Sequence, residues 1–267
     1  MSTTSTQTGS DMQISERELL TLTSQLAEVH NDLRPRFLDA VGDLSDVLRD
    51  DVERARQLAS RSASRRSFLR GGLMTAGAVG GGLAVAACGS SSTSTPTPTP
   101  GASGDLKVAQ LAASLEVLAV STYDTALKAA AQGSFGAVPA AFGVFATTAK
   151  LQHQDHENAW NAALTGAGLP AQKNPDPKYD RIVKNALPGL KTIADVASLA
   201  LTLETVAFET YTFGASAVTS KQNRLVALTI APVEAQHAAI LNFILGKYPV
   251  PDAFIKTDMA ASPSDLG

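Results

Sequence analysis

Apolar residues recur near helical spacing from residue 14 to residue 60. Leu19, Leu20, Leu22, Leu26, Val29, Leu33, Phe37, Val41, Leu44, Val47 and Leu48 are separated by charged positions. Pro35 is expected to interrupt this segment, because proline removes a backbone donor inside a helix. After residue 105 the periodicity predicts four longer helices. They run from about Leu106 to Ala131, Pro139 to Thr165, Gly189 to Ser220 and Lys221 to Lys247. Gln132-Gly133 ends the first, and Gly166-Ala167-Gly168 before Pro170 ends the second. The short first and third connections make two antiparallel hairpins. The proline-rich link around Asn174-Pro175-Asp176-Pro177, with one short helix near Asp180 to Asn185, is long enough to cross the bundle. The expected fold is all-α, an up-down four-helix bundle over residues 105 to 250. The turn-rich tail from residue 251 to 267 is expected to pack loosely.

Composition agrees with helices, since alanine is abundant and aromatics make up 5% of the chain. The net charge of −3, from 22 basic and 25 acidic residues, gives no basis for nucleic-acid binding.

A different pattern separates the two helical regions. Ser64-Arg65-Arg66-Ser67-Phe68-Leu69-Arg70 leads into 17 small and apolar residues, Gly71 to Ala87, ending at Val85-Ala86-Ala87-Cys88-Gly89. A basic stretch, an apolar segment and a small-residue cleavage site are the three parts of a secretory signal. The apolar run is glycine-rich and shorter than the roughly 20 residues a membrane span needs. Arg65 and Arg66 followed by Phe68-Leu69 resemble the twin-arginine translocation motif, which implies export of a folded protein. Val85 to Cys88 resembles a lipoprotein box, which implies that Cys88 becomes the lipidated first residue of the mature chain. Residues 64 to 88 are thus expected to be an export signal, and residues 89 to 104, rich in Ser, Thr and Pro, a tether. The domain would be held by the lipid on Cys88 at the outer face of the cytoplasmic membrane. As the single cysteine, Cys88 leaves no internal disulfide and, once acylated, no thiolate metal site. Residues 1 to 63 form an extension outside the mature fold, read either as a cytoplasmic helix pair removed on processing or as sequence ahead of a downstream start.

The two hairpins repeat each other. Leu115-Glu116 through Thr122-Tyr123 matches Leu203-Glu204 through Thr210-Tyr211 at the same offsets. Aligning His156 with His237 also aligns Asn161 with Asn242 and Leu164 with Leu245. Repeated helix pairs with polar residues at matching points suggest a pseudo-twofold bundle in which those points meet. Glu116 and Glu204 sit in helices that are apolar nearly all round, so their carboxylates face inward. A buried unpaired carboxylate costs several kcal/mol, and histidines, metal ions or tyrosine hydroxyls are the compensating partners available. The three histidines after the signal, His153, His156 and His237, all fall at the repeat positions. Glu234 and His237 are three apart, as are His153 and His156, so each pair shares a helix face. One carboxylate from each of two helices and an i,i+3 pair from each of the others is the layout of a carboxylate-bridged di-metal bundle.

In this arrangement residues 106 to 247 resemble the ferritin-like superfamily, and more loosely its desiccation-related and bacterial lipoprotein branches. The resemblance implies Glu116 and Glu204 as terminal metal ligands, Glu234 as the bridge, and His156 and His237 binding one metal each. It departs where the family has a second bridging glutamate, since His153 stands there and removes one negative charge. Glu157 is a partial substitute. The change allows a mononuclear site, an asymmetric pair, or a metal that favours nitrogen ligands. Tyr123 and Tyr211 are expected to bond the carboxylates as core residues, Trp160 to be core, and Glu209, off the face of Glu204, to be solvated. Pro232 signals a kink beside Glu234 or the end of a short helix.

Two functions remain. One is an exported, lipid-anchored bundle binding one or two iron or manganese ions, with oxidase or peroxide-handling activity. The other is a metal-free bundle serving as a stress-related or cell-envelope interaction module. A homodimer is compatible with either, and a mineral-storing cage is not suited to a membrane tether.

Overall fold

The computed structural model describes residues 14–72 and 102–266. Cys88, the apolar stretch from residue 73 and the tether up to residue 101 lie outside the described residues. The helices are α1 (Glu16–Gly72), α2 (Ala102–Ala131), α3 (Ala140–Gly166), α4 (Pro177–Ala186), α5 (Ile193–Ala217) and α6 (Lys221–Ile244). There is no strand among the described residues. The fold is an all-α bundle in which α2 pairs with α3 and α5 with α6.

Local chemistry sets the ends of these helices. Gly168 takes φ +77°, where a side chain is strained, and the Leu169 N–H returns to the Leu164 carbonyl to close α3. Asp176 accepts from the Lys178 and Tyr179 N–H groups while Pro177 opens α4. Thr192 and Asp195 form a capping box, so α5 starts at Ile193 instead of near Gly189. Ser220 caps α6 through the Asn223 N–H. Buried Asp105 on α2 accepts from the Thr219 and Ser220 N–H groups at 2.8 and 2.7 Å, which fastens one hairpin to the turn of the other. Tyr179 and Val183 of α4 pack with Leu111, Leu115 and Val206, so the link between hairpins crosses the α2 and α5 side.

Four further expectations change. Residues 14 to 60, set apart from the bundle by the sequence, pack on it as the first part of α1. Phe37, Val41, Leu44 and Leu48 join Trp160, Leu164 and Ile230 in one core cluster. A Cβ on Gly166 would lie 1.9 Å from Ser45 Oγ, and Arg49 donates to the Gly166 carbonyl, so α1 crosses α3 in close contact there. Neither Pro35 nor Pro232 ends its helix. Both are exposed, and packing on either side of each holds the backbone helical despite the lost donor. The tail is not uniformly loose, because Met259 and Ala261 donate to Glu209 and Thr210 at 2.7 and 2.8 Å. Glu209 is therefore 5% exposed and not solvated. Its offset from the face of Glu204 turns it toward the tail.

Candidate metal centre

The four bundle helices bring all six expected ligands together in the interior. Glu116 of α2, His153 and His156 of α3, Glu204 of α5, and Glu234 and His237 of α6 are each at most 2% exposed. They form two overlapping groups of four, Glu116-His153-His156-Glu234 and His153-Glu204-Glu234-His237, whose ligand atoms lie within 4.8 Å of one another in each group. His153 and Glu234 belong to both.

The two ring nitrogens of His153 face different groups. Nδ1 is 2.8 Å from Glu116, and Nε2 is 3.2 Å from Glu204 and 3.6 Å from Glu234. Glu234 lies 2.9 Å from His156 Nδ1 and 3.1 Å from His237 Nδ1. Each repeat supports the other, since Tyr123 donates to Glu204 at 2.6 Å and Tyr211 donates to Glu116. Trp160, fully buried, donates to the Tyr211 hydroxyl at 2.9 Å. Glu157 stays outside both groups, half-buried, and accepts from Gln154.

Several residues here escape a reading of the sequence. Buried Gln152 sits 2.7 Å from His237 Nε2 through its amide oxygen, and its amide nitrogen donates to the Leu26 carbonyl of α1. The oxygen fixes the His237 tautomer with a proton on Nε2, which frees Nδ1 for a ligand role. His30 and Arg34 of α1 both bond Asp155, the residue before His156. A cavity of about 260 Å³ between α1, α3 and α6, lined by His30, Phe37, Pro232 and Gln236, reaches His156. The repeat alignment cannot show α1 or Gln152, because neither has a counterpart in the other hairpin.

The electrostatics of the cluster demand positive charge. Burial pushes His153 down, but the Glu234 and Glu204 carboxylates and the hydrogen bond to Glu116 outweigh it, holding the imidazole well above its usual range. Burial likewise opposes His237, yet Glu204 and Glu234 raise it to about 9. Burial pushes Glu234 up, and His153, His156 and His237 together overcome it to hold the carboxyl well below its usual range. Burial, then the charge of Glu204, keeps Tyr123 protonated well above its usual range, and burial with Glu116 does the same for Tyr211. Both tyrosines are therefore hydrogen-bond donors and not bases.

The donor set fits a metal ion. Three of the five buried side-chain atoms without a hydrogen bond among the described residues are His156 Nδ1, Glu204 Oε2 and Glu234 Oε1. His156 Nδ1 and Glu234 Oε1 are close to each other but out of line for a hydrogen bond. Unpaired buried donors and acceptors are costly, and a cation among them removes that cost.

A pH dependence follows with a defined sign. The folded pKa of His237 is raised from 6.5 to about 9, so its contribution to metal-free stability is complete below pH 6.5 and is lost as pH rises through about 9. A shift of this size corresponds to roughly 3 kcal/mol. Metal binding needs the neutral imidazole, so metal affinity rises over the same window. Thermal melts in chelator should fall from pH 6.5 to 9 while metal affinity climbs. A flat melting temperature in chelator counts against the charged His237.

Fold and cluster together define a helical-bundle protein whose core is built from carboxylates and imidazoles in the spacing of a metal centre. Residues 104–247 match the model of the family described as the ferritin-like domain, and the chain belongs to that family. Comparisons with curated proteins and with solved structures found no match.

Proposed function

We propose that this protein is a metal-binding ferritin-like bundle that holds one or two iron or manganese ions in its core, exported and anchored to the outer face of the cytoplasmic membrane. The observation that carries the metal reading is the pair of overlapping buried four-residue groups sharing His153 and Glu234. Glu116 and His156 would hold one ion with them, Glu204 and His237 the other. Such ions would supply oxidation of the metal itself and handling of dioxygen or peroxide.

The chain's own residues set the terms for those ions. Three carboxylates are balanced by one divalent ion and one imidazolium, so the first ion binds more tightly than the second. Tyr123 and Tyr211 orient Glu204 and Glu116, and Gln152 orients His237. The buried walls keep bulk water from the carboxylates. Arg65-Arg66, the lipoprotein-box likeness at Cys88 and the Ser/Thr/Pro tether support the anchored reading.

Equilibrium dialysis of metal-free full-length chain against manganese(II), and against iron(II) without air, tests the metal reading. One tight and one weaker ion per chain are expected, and no retained metal sinks it in favour of a metal-free module. For the anchor, Cys88→Ser is expected to move the protein from the membrane fraction to the soluble fraction. Unchanged fractionation would count against lipidation.

A further inference from the structure

Helix α1 lies outside residues 104–247, the part of the chain that matches the ferritin-like family. One stripe of it nevertheless runs past the ligand cluster. Leu26, His30 and Arg34 are spaced four apart and share a helix face, which Phe37 continues one turn on. Each of the four contacts α3 between Gln152 and His156.

These contacts bear on two ligands. The ring centroids of His30 and Phe37 lie 6.0 and 6.1 Å from that of His156, so the imidazole packs against α1 while its Nδ1 faces Glu234 at 2.9 Å. His30 is itself pinned. Its Nε2 lies 3.1 Å from Asp155, and Arg34 donates to both oxygens of the same carboxylate at 2.8 and 3.1 Å. A two-pronged guanidinium–carboxylate pair fixes orientation as well as position. The second ligand is His237. Its Nε2 meets the Gln152 amide oxygen at 2.7 Å, and the Gln152 amide nitrogen donates to the Leu26 carbonyl at 3.3 Å. The support of His237 therefore ends on α1.

Exposed ion pairs such as Arg34 with Asp155 add little to stability, and neither His30 nor Arg34 belongs to a ligand group. Their place behind a ligand imidazole gives them a different use. His156 belongs to one ligand group and His237 to the other. We propose that α1 is part of the metal centre, with His30, Arg34 and the Leu26 carbonyl as positioning groups that hold one histidine of each ligand group in place, so that bound metal leaves slowly. The inference rests on the metal reading and adds to it a control on metal release. Groups that orient a metal ligand typically change metal affinity about 10–100-fold. A cut before Cys88, as proposed, would part these supports from the ligands and ease metal exchange.

The test uses the full-length chain loaded with cobalt(II). Release is followed after excess EDTA is added, and the ligand field is read from the visible spectrum. His30→Ala and Arg34→Ala should each release cobalt about tenfold faster or more than the unaltered chain. His30→Ala should also shift the visible bands, because the aim of His156 changes. Arg49→Ala removes another contact of α1 with α3, at the Gly166 carbonyl, about 15 Å along α3 from His156. It should change neither the rate nor the spectrum. Circular dichroism checks that each variant keeps its helices, and the exposed Arg34 site decides if His30→Ala does not fold. Unaltered release from either folded variant, an unshifted His30→Ala spectrum, or equally fast release from Arg49→Ala overturns the proposal and leaves α1 a packing element only. An unaltered chain that binds no cobalt overturns the metal reading together with this one. Cobalt held equally by the unaltered chain and the variants overturns this one alone.

Discussion

Glu234→Ala is expected to bring bound metal down to background. Glu234 is fully buried and is shared by both ligand groups, so its loss leaves neither with four donors. It also takes away a carboxylate that stabilises charge on His153 and His237. Removing one partner of a buried ionic network costs about 3–5 kcal/mol, because the remaining charges are left uncompensated. The metal-free variant should therefore melt well below the metal-free parent. Glu157→Gln is the comparison, since Glu157 is half-buried outside both groups and should keep full metal content. Elemental analysis after reconstitution reads the first effect, and thermal denaturation in chelator reads the second. Full metal content in Glu234→Ala would falsify the assignment of Glu234 as the shared ligand.

The second large effect concerns α1. Leu44 and Leu48 are fully buried against Trp160 and its neighbours. Leu48→Ala should cost about 2–5 kcal/mol, the range for deleting a buried leucine side chain into a cavity. A chain beginning at residue 89 should lose more. Burying Phe37, Leu44 and Leu48 alone contributes about 1.5–3 kcal/mol apiece. Without α1, the Trp160 and Leu164 face of α3 and the Ile230 face of α6 meet water. The shortened chain is expected to bind a hydrophobic dye and to melt more than about 10 °C below the full chain, at roughly 2–4 °C per kcal/mol. Processing at Cys88, as proposed, separates α1 from the bundle, so the two chains compare the states before and after that step. Identical melting curves would show that α1 adds nothing to the stability of the bundle.

The packing of α1 marks one limit of the sequence. Its apolar stripe at Leu19, Leu26, Phe37, Val41, Leu44 and Leu48 is plain in the spacing, and it forms the buried face in the structure. The stripe states that a face must be covered. It does not name the covering element, and the export-signal likeness, which begins at Ser64 in the last turns of α1, directs attention away from the bundle. Pro35 and Pro232 show the same limit from the other side. Their local penalty is real, but neighbouring packing outweighs it, and that packing is a property of the assembled helices.

The ligand cluster was more legible. Glu116 and Glu204 stand in apolar helices, and the i,i+3 pairs are set by helix geometry, so the repeat alone placed six side chains at matching depths. The sequence also marked the four bundle helices, since caps and periodicity act within a few residues. Tertiary structure decided the rest. Only the crossing of the hairpins gives Tyr123 to Glu204 and Tyr211 to Glu116 instead of to their own repeats. It likewise sets Gln152 beside His237, turns Glu209 toward the tail, and lays α1 beside His156. Helix spacing fixes which side chains share a face, over distances of a turn or two. Which faces meet, and how closely, depends on side-chain volumes across separate helices, which no local pattern encodes.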